Sequence, residues 1–150
     1  MKKKIIKKYL PEYDPIIILK DTNIKLTNSK SDQTAELNGL IKIKNKFDSF
    51  KIEEKYNYDK KSFDIDGIVN LTNSRVKVEK LNYNKNQGEK SELSFDVNFA
   101  LQKYYNIRNL EFLANKNKIY LSNIKLNKNY ETVDFKKIEV KTFTNKIKNN

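Results

Sequence analysis

The sequence predicts an all-β protein, namely a mainly antiparallel, strongly twisted meander that forms an open, curved, taco-like groove. The clearest evidence lies within residues 63–101. A strand is predicted over residues 93–101, because its odd positions are apolar and its even positions are Ser, Asp, Asn and Ala. The apolar residues, which share one face, are Leu93, Phe95, Val97, Phe99 and Leu101. This period of two is that of a strand and not of a helix. A sheet with one apolar and one polar face covers something apolar on one side.

The remaining strands are predicted in chain order from the same alternation. One or two short strands lie within residues 15–27, followed by strands over residues 37–43, 50–58 and 63–71. In the last of these, Phe63, Ile65, Val69 and Leu71 lie on the apolar parity. Short apolar pairs follow at residues 76–78 and 81–83, then a polar loop at 84–90 and further strands at 93–101 and 107–112. Their short connections are typical of antiparallel hairpins, and the chain has room for roughly eight strands.

Two shifts of parity predict β-bulges near the C-terminus. Ile119 and Leu121 fall on odd positions, whereas Ile124 and Leu126 fall on even ones. A similar shift separates residues 133–135 from residues 138–140. One extra residue in a strand produces such a slip and bends the sheet. A curved sheet is therefore expected, with a closed up-and-down barrel as the alternative.

The three glycines are interpreted as structural residues. Gly39 and Gly67 lie in two similar segments, residues 37–43 and 65–71, which form a weak internal repeat. The pairs Asn38-Gly39 and Asp66-Gly67 could each form a type I′ hairpin turn. However, the apolar alternation continues through both glycines, which favours positions inside strands where the sheet bends or another backbone comes close. Gly88 is predicted to lie in the turn within residues 84–90.

Composition restricts the function. The chain carries a net charge of +12, with 31 Lys and Arg residues, but Arg occurs only at positions 75 and 108. Because Arg is favoured for bidentate phosphate and base contacts, a generally solvated Lys-rich surface is preferred over a nucleic-acid or anionic lipid patch. Tyr56, Tyr58, Tyr104 and Tyr105 could stack bases, although Tyr also lies commonly at sheet edges.

Little in the sequence indicates catalysis. The chain has no Cys and no His, which excludes Cys nucleophiles, Cys/His zinc sites and His acid–base chemistry. Asp64 and Asp66 lie two apart on the polar face, as expected of a solvated strand. We therefore expect no enzyme activity, no cofactor and no metal site. The N-terminus lacks the apolar core of a signal peptide, and no segment has the length of a membrane span.

Residues 67–88 carry a resemblance to a known family. The run GIVNLTNSRV at residues 67–76, then Leu81, Tyr83, Lys85 and Gly88, resembles the AsmA-like proteins, especially the large YhdP-type and TamB-type members. The pattern continues to Phe143. It departs from the family at Gln87, where Pro is expected, and at Asn73-Ser74. The resemblance implies a long periplasmic bridge, anchored in the inner membrane, whose curved sheet carries phospholipid acyl chains toward the outer membrane.

The residue patterns and the resemblance together predict an organisation and a site. Residues 1–14 would be a flexible basic arm, residues 15–143 one β-sheet domain within a longer repeating groove, and residues 144–150 a frayed basic tail. Partners would be phospholipid acyl chains and neighbouring segments of the same long protein, with nucleic acid disfavoured. The groove would be lined by Leu93, Phe95, Val97, Phe99, Leu101, Phe63, Ile65, Val69 and Leu71. Val97→Asp should then disturb the site, whereas Asn98→Asp, facing water, should be nearly silent.

Overall fold

The computed structural model describes residues 8–12, 16–43, 46–101 and 103–143. Most of the predicted N-terminal arm and all of the predicted C-terminal tail lie outside these residues. Within the arm, Leu10 is half-buried and packs against the hydrophobic core. The described residues form one large sheet and a small two-stranded hairpin.

Eleven strands make up these two sheets. They are β1 (Ile18–Asn28), β2 (Asp32–Lys42), β3 (Phe47–Asn57), β4 (Ser62–Asn70), β5 (Val76–Val78), β6 (Tyr83–Lys85), β7 (Ser91–Ala100), β8 (Tyr104–Ala114), β9 (Asn117–Asn127), β10 (Thr132–Asp134) and β11 (Lys137–Lys141). A 3-10 turn at Glu79–Leu81 joins β5 to β6. The predicted pair at residues 81–83 is thus wrong at Leu81, which lies in this turn.

The large sheet is an antiparallel meander that stays open. Its order is β1-β2-β3-β4-β7-β8-β9, and β10 and β11 both pair with the far side of β9. Strands that follow one another in sequence are therefore neighbours in space, and β5 and β6 form a separate excursion between β4 and β7. Since β1 and β11 occupy opposite edges, the all-β open meander is confirmed and the closed-barrel alternative is wrong.

Backbone irregularities lie at both predicted parity shifts, and β8 carries a further bulge that was not predicted. In β8, Arg108 is an extra residue, because Asp96 pairs with Asn109 while the next residue, Val97, pairs with Ile107. In β9, Asn123 has a left-handed backbone with φ of 51°, a conformation that Asn tolerates better than most residues. It lies between Leu121 and Ile124, where the sequence predicted a bulge, although the pairing of β9 with β8 keeps one register across this point. The later predicted shift coincides with a register change in β10 and the break before β11.

The β5–β6 hairpin covers one end of the sheet. Val76 and Tyr83 of the hairpin pack against Phe112 and Ala114 of β8 and against Leu71, which follows β4. The Tyr83 and Phe112 rings meet edge to face, with centroids 6.0 Å apart. The well-buried core of the described residues is concentrated here, so this end of the apolar face is closed.

Lys85 holds the hairpin in place. Its side chain is fully buried, and its ammonium group donates to the carbonyl oxygens of Leu71, Thr72 and Ser74, at 3.0 Å for Thr72 and 2.7 Å for Ser74. Burial lowers the pKa of Lys85, and the charges of Asp48 and Glu89 oppose that shift. The prediction of a polar loop over residues 84–90 is wrong at its start, because Asn84 and Lys85 belong to β6 and Lys85 lies inside the protein.

Candidate functional site: the open apolar face

One face of the large sheet carries a continuous apolar row. Directly paired residues of adjacent antiparallel strands point to the same side of a sheet. The strand register therefore aligns one residue from each strand position on a single face: Ile24, Leu37, Ile52, Gly67, Phe95, Leu110, Leu121 and Ile138. We call the side of the sheet that carries this row the apolar face.

Within the described residues, no second layer covers the apolar face away from the hairpin and Leu10. The large side chains of the inner strands, such as Ile52, Phe95 and Leu110, are half-buried rather than buried. Within the described residues, close approaches between sheet strands are overwhelmingly those of lateral neighbours. These side chains are therefore shielded mainly by one another, and the face remains open to an apolar ligand.

The face extends to both edges of the sheet. Ile24 and Leu26 on β1 are 62% and 66% exposed, and Ile138 on β11 is 54% exposed. Natural sheets usually protect exposed apolar edge strands, because such strands attract further pairing. Here the apolar surface reaches both edge strands. The pairing of β1 is irregular at the bulge between Lys20 and Asn23.

Most residues predicted to line the groove are brought together. Phe63 lies directly opposite Phe99, Ile65 opposite Val97, and Val69 opposite Leu93, all between β4 and β7. Phe95 lies opposite Gly67. All of them are half-buried apart from the buried Gly67. Ile65, Phe95 and Val97 occupy the centre of the apolar face. Phe63 and Phe99 stack on each other toward the end opposite the hairpin, and Val69 and Leu93 pack against the core beneath the hairpin.

Two of the predicted lining residues lie elsewhere. Leu71 is only 3% exposed and belongs to the core beneath the hairpin, so it is inaccessible from the open part of the face. Leu101 follows the end of β7, lies in a turn and is 62% exposed. The strand ends one residue earlier than the alternation predicted, because the chain turns there into β8.

An aromatic row crosses the apolar face at the end opposite the hairpin. The rings of Tyr56, Phe63, Phe99, Tyr105 and Tyr130 stand side by side, with successive centroids 4.6, 5.1, 5.7 and 4.7 Å apart. Tyr58 adds an edge-to-face contact with Tyr56. Such ring pairs contribute about 0.5–1.5 kcal/mol each beyond their area burial. The rings therefore form an ordered end to the face.

The glycines act as the alternation predicted. A Cβ on Gly67 would lie 2.8 Å from Phe95 Cζ and 2.9 Å from the Lys51 carbonyl oxygen, so the Phe95 ring occupies the space above it. A Cβ on Gly39 would lie 2.8 Å from Thr22 Cα at the β1 bulge. Both glycines lie inside strands, where neighbouring atoms come too close to leave room for a side chain. Gly88 has φ of +89° and lies in a turn, as predicted.

The opposite face of the sheet is polar and organised around Arg108. Its guanidinium group lies 2.8 Å from Asp64 and donates through Nε to Asp96 at 2.7 Å. The hydrogen bond to Asp96, with the charges of Asp96 and Asp64, raises the pKa of Arg108. The chain's other arginine, Arg75, donates to the side chain of Asn84 at 3.2 Å. Both arginines thus have partners within the protein.

Asn98 lies on the polar face as predicted, but it does not simply face water. Its amide donates to Asp64 Oδ1 at 3.0 Å and to the Phe63 carbonyl oxygen at 3.2 Å. A carboxylate at this position would lose both bonds and repel Asp64. The premise that Asn98 simply faces water is therefore wrong, and we now expect Asn98→Asp to destabilise the sheet. Ile68, which is 45% exposed on the polar face and pairs with Lys51, is a better control position.

Sequence reasoning identified the central part of the face and missed its continuation. Ile52, Leu110 and Leu121 belong to the same row as Phe95, and Tyr105 and Tyr130 belong to the aromatic row. The alternation of Ile52 and Leu121 was visible in the sequence. Their alignment with Phe95 depends on the register of several strand pairs, which alternation alone does not determine.

Other kinds of site are not evident in the described part of the chain. Among these residues, no group of three or more His, Cys, Asp and Glu side chains is arranged to hold a metal ion. The described residues also include no helix of the length and apolarity needed to cross a membrane. The apolar face is therefore the feature on which a function can be argued.

Comparisons with known proteins identify no relative. No family model matches the chain, and neither a curated protein nor a solved structure matches it. The resemblance to AsmA-like proteins therefore stays a prediction, and any function is argued from the fold and the apolar face.

Proposed function

We propose that this chain is a non-enzymatic segment of an AsmA-like lipid-transport protein and that its apolar face holds phospholipid acyl chains. In this proposal it acts on the periplasmic side of the inner membrane, within a longer anchored protein that moves phospholipid between the inner and outer membranes. The observation that carries the proposal is the apolar row from Ile24 to Ile138, which crosses the whole sheet and has no second layer of described residues over its centre.

The dimensions of the row suit an acyl chain. Adjacent strands lie about 4.8 Å apart, so eight strand positions give a path of roughly 30–35 Å. Burying one methylene group stabilises a complex by about 0.8 kcal/mol. A long flexible hydrocarbon can adapt its conformation to such a row of side chains. The aromatic row and the hairpin lie on either side of this path.

The uncovered edges support a place in a longer sheet. Ile24 and Ile138 end the row on the two edge strands and remain exposed. A neighbouring segment paired against either edge would continue the row and cover these side chains. The proposal therefore includes neighbouring segments of the same protein as partners, as well as phospholipid.

Site-specific crosslinking tests the proposal. A photoreactive residue at Val97, in the centre of the apolar face, should capture phospholipid from cells or vesicles, whereas one at Ile68 on the polar face should not. The two positions lie on adjacent strands, and both native residues are β-branched and apolar. Equal capture at both positions would show that the two faces bind lipid equally well, and this result would overturn the proposal.

A charge introduced at the same two positions gives a second test. Val97→Asp should weaken lipid capture at least about tenfold, because it places an unpaired carboxylate against hydrocarbon. Ile68→Asp, placed beside Lys51, should leave capture unchanged. Salt dependence then separates lipid from nucleic acid, because phosphate binding weakens steeply with salt and acyl-chain binding does not. Steeply salt-sensitive binding that ignores Val97→Asp would favour a nucleic-acid binder.

A further inference from the structure

We propose that the hairpin turns at the aromatic end of the sheet form a docking surface for an anionic lipid bilayer. The meander places the β1–β2, β3–β4, β7–β8 and β9–β10 connections at this one end. We define the tip surface as residues 29–31, 58–61 and 128–131, together with Leu101, Lys103 and Tyr104. The proposal goes beyond the apolar groove and does not require that the apolar face carry lipid.

The tip surface exposes large apolar side chains at three of its four connections. Tyr58 is 37% exposed, Leu101 62%, Tyr104 41% and Tyr130 49%. Tyr side chains are enriched at membrane interfaces, where the ring lies among apolar groups and the hydroxyl stays hydrated. An aliphatic side chain such as Leu101 at the end of a turn adds insertion into the upper acyl region.

At least one lysine lies at each of the four connections, including the β1–β2 turn. The five are exposed, and their ammonium groups form no ion pair with a described residue: Lys30, Lys60, Lys61, Lys103 and Lys128. The acidic residues on the tip surface are Asp59 and Glu131, and Glu131 already accepts a hydrogen bond from Asn127 at 2.8 Å. Positive charge therefore dominates the surface, which complements the negative surface of a bilayer that contains anionic lipid.

The tip surface is also preorganised. Tyr58 donates its hydroxyl proton to Asn28 at 2.6 Å, which ties the β3–β4 turn to the end of β1. Tyr130 adopts a left-handed backbone with φ of 64°, unusual for a bulky residue, and its ring stacks on Tyr105. Ordered side chains lose less conformational entropy when they bind.

A bilayer fits these features better than a nucleic acid. The Tyr58 and Tyr130 rings already contact Tyr56 and Tyr105, which leaves less ring surface for base stacking. Leu101 has no ring to stack a base, and the two arginines are engaged elsewhere in the protein. Lys with interspersed Tyr and Leu is instead the composition of membrane-surface anchors.

Tryptophan fluorescence tests the geometry, because the chain contains no native Trp. Tyr58→Trp and Tyr130→Trp place a probe on the tip surface, and Leu81→Trp, 36% exposed on the 3-10 turn of the hairpin, is the control. With vesicles of equal parts phosphatidylcholine and phosphatidylglycerol, brominated acyl chains should quench the two tip probes and not the control. Equal quenching at both ends, or quenching at Leu81→Trp alone, would overturn the proposal.

Charge variants test the electrostatic part. Each Lys near an anionic surface contributes about fivefold to binding, so Lys60→Gln with Lys61→Gln should weaken binding to these vesicles about 25-fold. Lys46→Gln with Lys116→Gln, at the opposite end of the sheet, should change it little. Equal losses in the two pairs, or no preference for the anionic vesicles over pure phosphatidylcholine, would refute the tip surface. Val97→Asp should leave vesicle binding intact, so failure of the groove and failure of the tip surface are distinguishable.

Discussion

Replacement of Lys85 by Met should destabilise the protein through the hairpin that closes the apolar face. The Lys85 side chain is fully buried and donates to the carbonyl oxygens of Leu71, Thr72 and Ser74. Met has a similar length and no donor. The Thr72 oxygen would keep the Gly88 N–H at 2.7 Å, and the Leu71 oxygen would keep the Ser74 N–H at 3.0 Å. The Ser74 carbonyl oxygen would lose the hydrogen bond from Lys85 and would be left buried without a backbone N–H to replace it.

The magnitude follows from two opposing effects. A hydrogen bond to a charged group contributes about 1.5–3 kcal/mol, and a buried unpaired carbonyl costs about 1–3 kcal/mol. Removing the ammonium group also removes the free energy of its desolvation, which is several kcal/mol and offsets part of the loss. We therefore expect Lys85→Met to lower the free energy of unfolding by about 2–4 kcal/mol. For a chain of this length, each kcal/mol lowers the Tm by about 2–4 °C.

Urea and thermal unfolding of the full chain measure this effect. The matched control is Lys77→Met on the same hairpin, because Lys77 makes an exposed ion pair with Glu79 at 3.0 Å. Its replacement should change the free energy of unfolding by less than about 1 kcal/mol. If Lys85→Met is as stable as the native chain, the three hydrogen bonds do no more than offset the desolvation of the ammonium group, and the reasoning fails.

Three further predictions concern packing and pH. Gly67→Ala should destabilise the protein by about 1–3 kcal/mol in urea unfolding, because its Cβ displaces the Phe95 ring and meets the Lys51 carbonyl; unchanged stability would contradict the close approach. Burial raises the pKa of Tyr83 to about 12, and its hydroxyl has no hydrogen-bond partner among the described residues. Tyr83→Phe should therefore be neutral or stabilising, while Tyr83→Ala loses about 3–5 kcal/mol. Hydrogen bonds from lysines on β11, led by Lys137, lower the pKa of Glu139 from 4.5 to about 2. Its contribution to stability should be complete above pH 4.5 and lost as the pH falls through 2, and a thermal-unfolding series in which Glu139→Gln shows the same acid dependence would refute this.

The strand content and the polarity of the two faces follow from the sequence by itself. Alternation is a local property, since each strand residue points opposite to its neighbour whatever the strand pairs with. This is why residues 93–101 predicted β7 nearly to its ends, and why the shift of parity between Leu121 and Ile124 marked the left-handed backbone at Asn123. The in-strand roles of Gly39 and Gly67 followed from the same argument.

Tertiary structure alone decided how the local patterns combine. The row through Ile52, Phe95 and Leu121 and the stacking of Tyr105 on Tyr130 depend on register and on which strands become neighbours. The burial of Lys85 depends on the hairpin folding back over the sheet. These are contacts between residues far apart in the chain, and a short window of sequence carries no information about them. Hence the sequence determined an apolar face, and long-range pairing determined its extent, its closed end and its open edges.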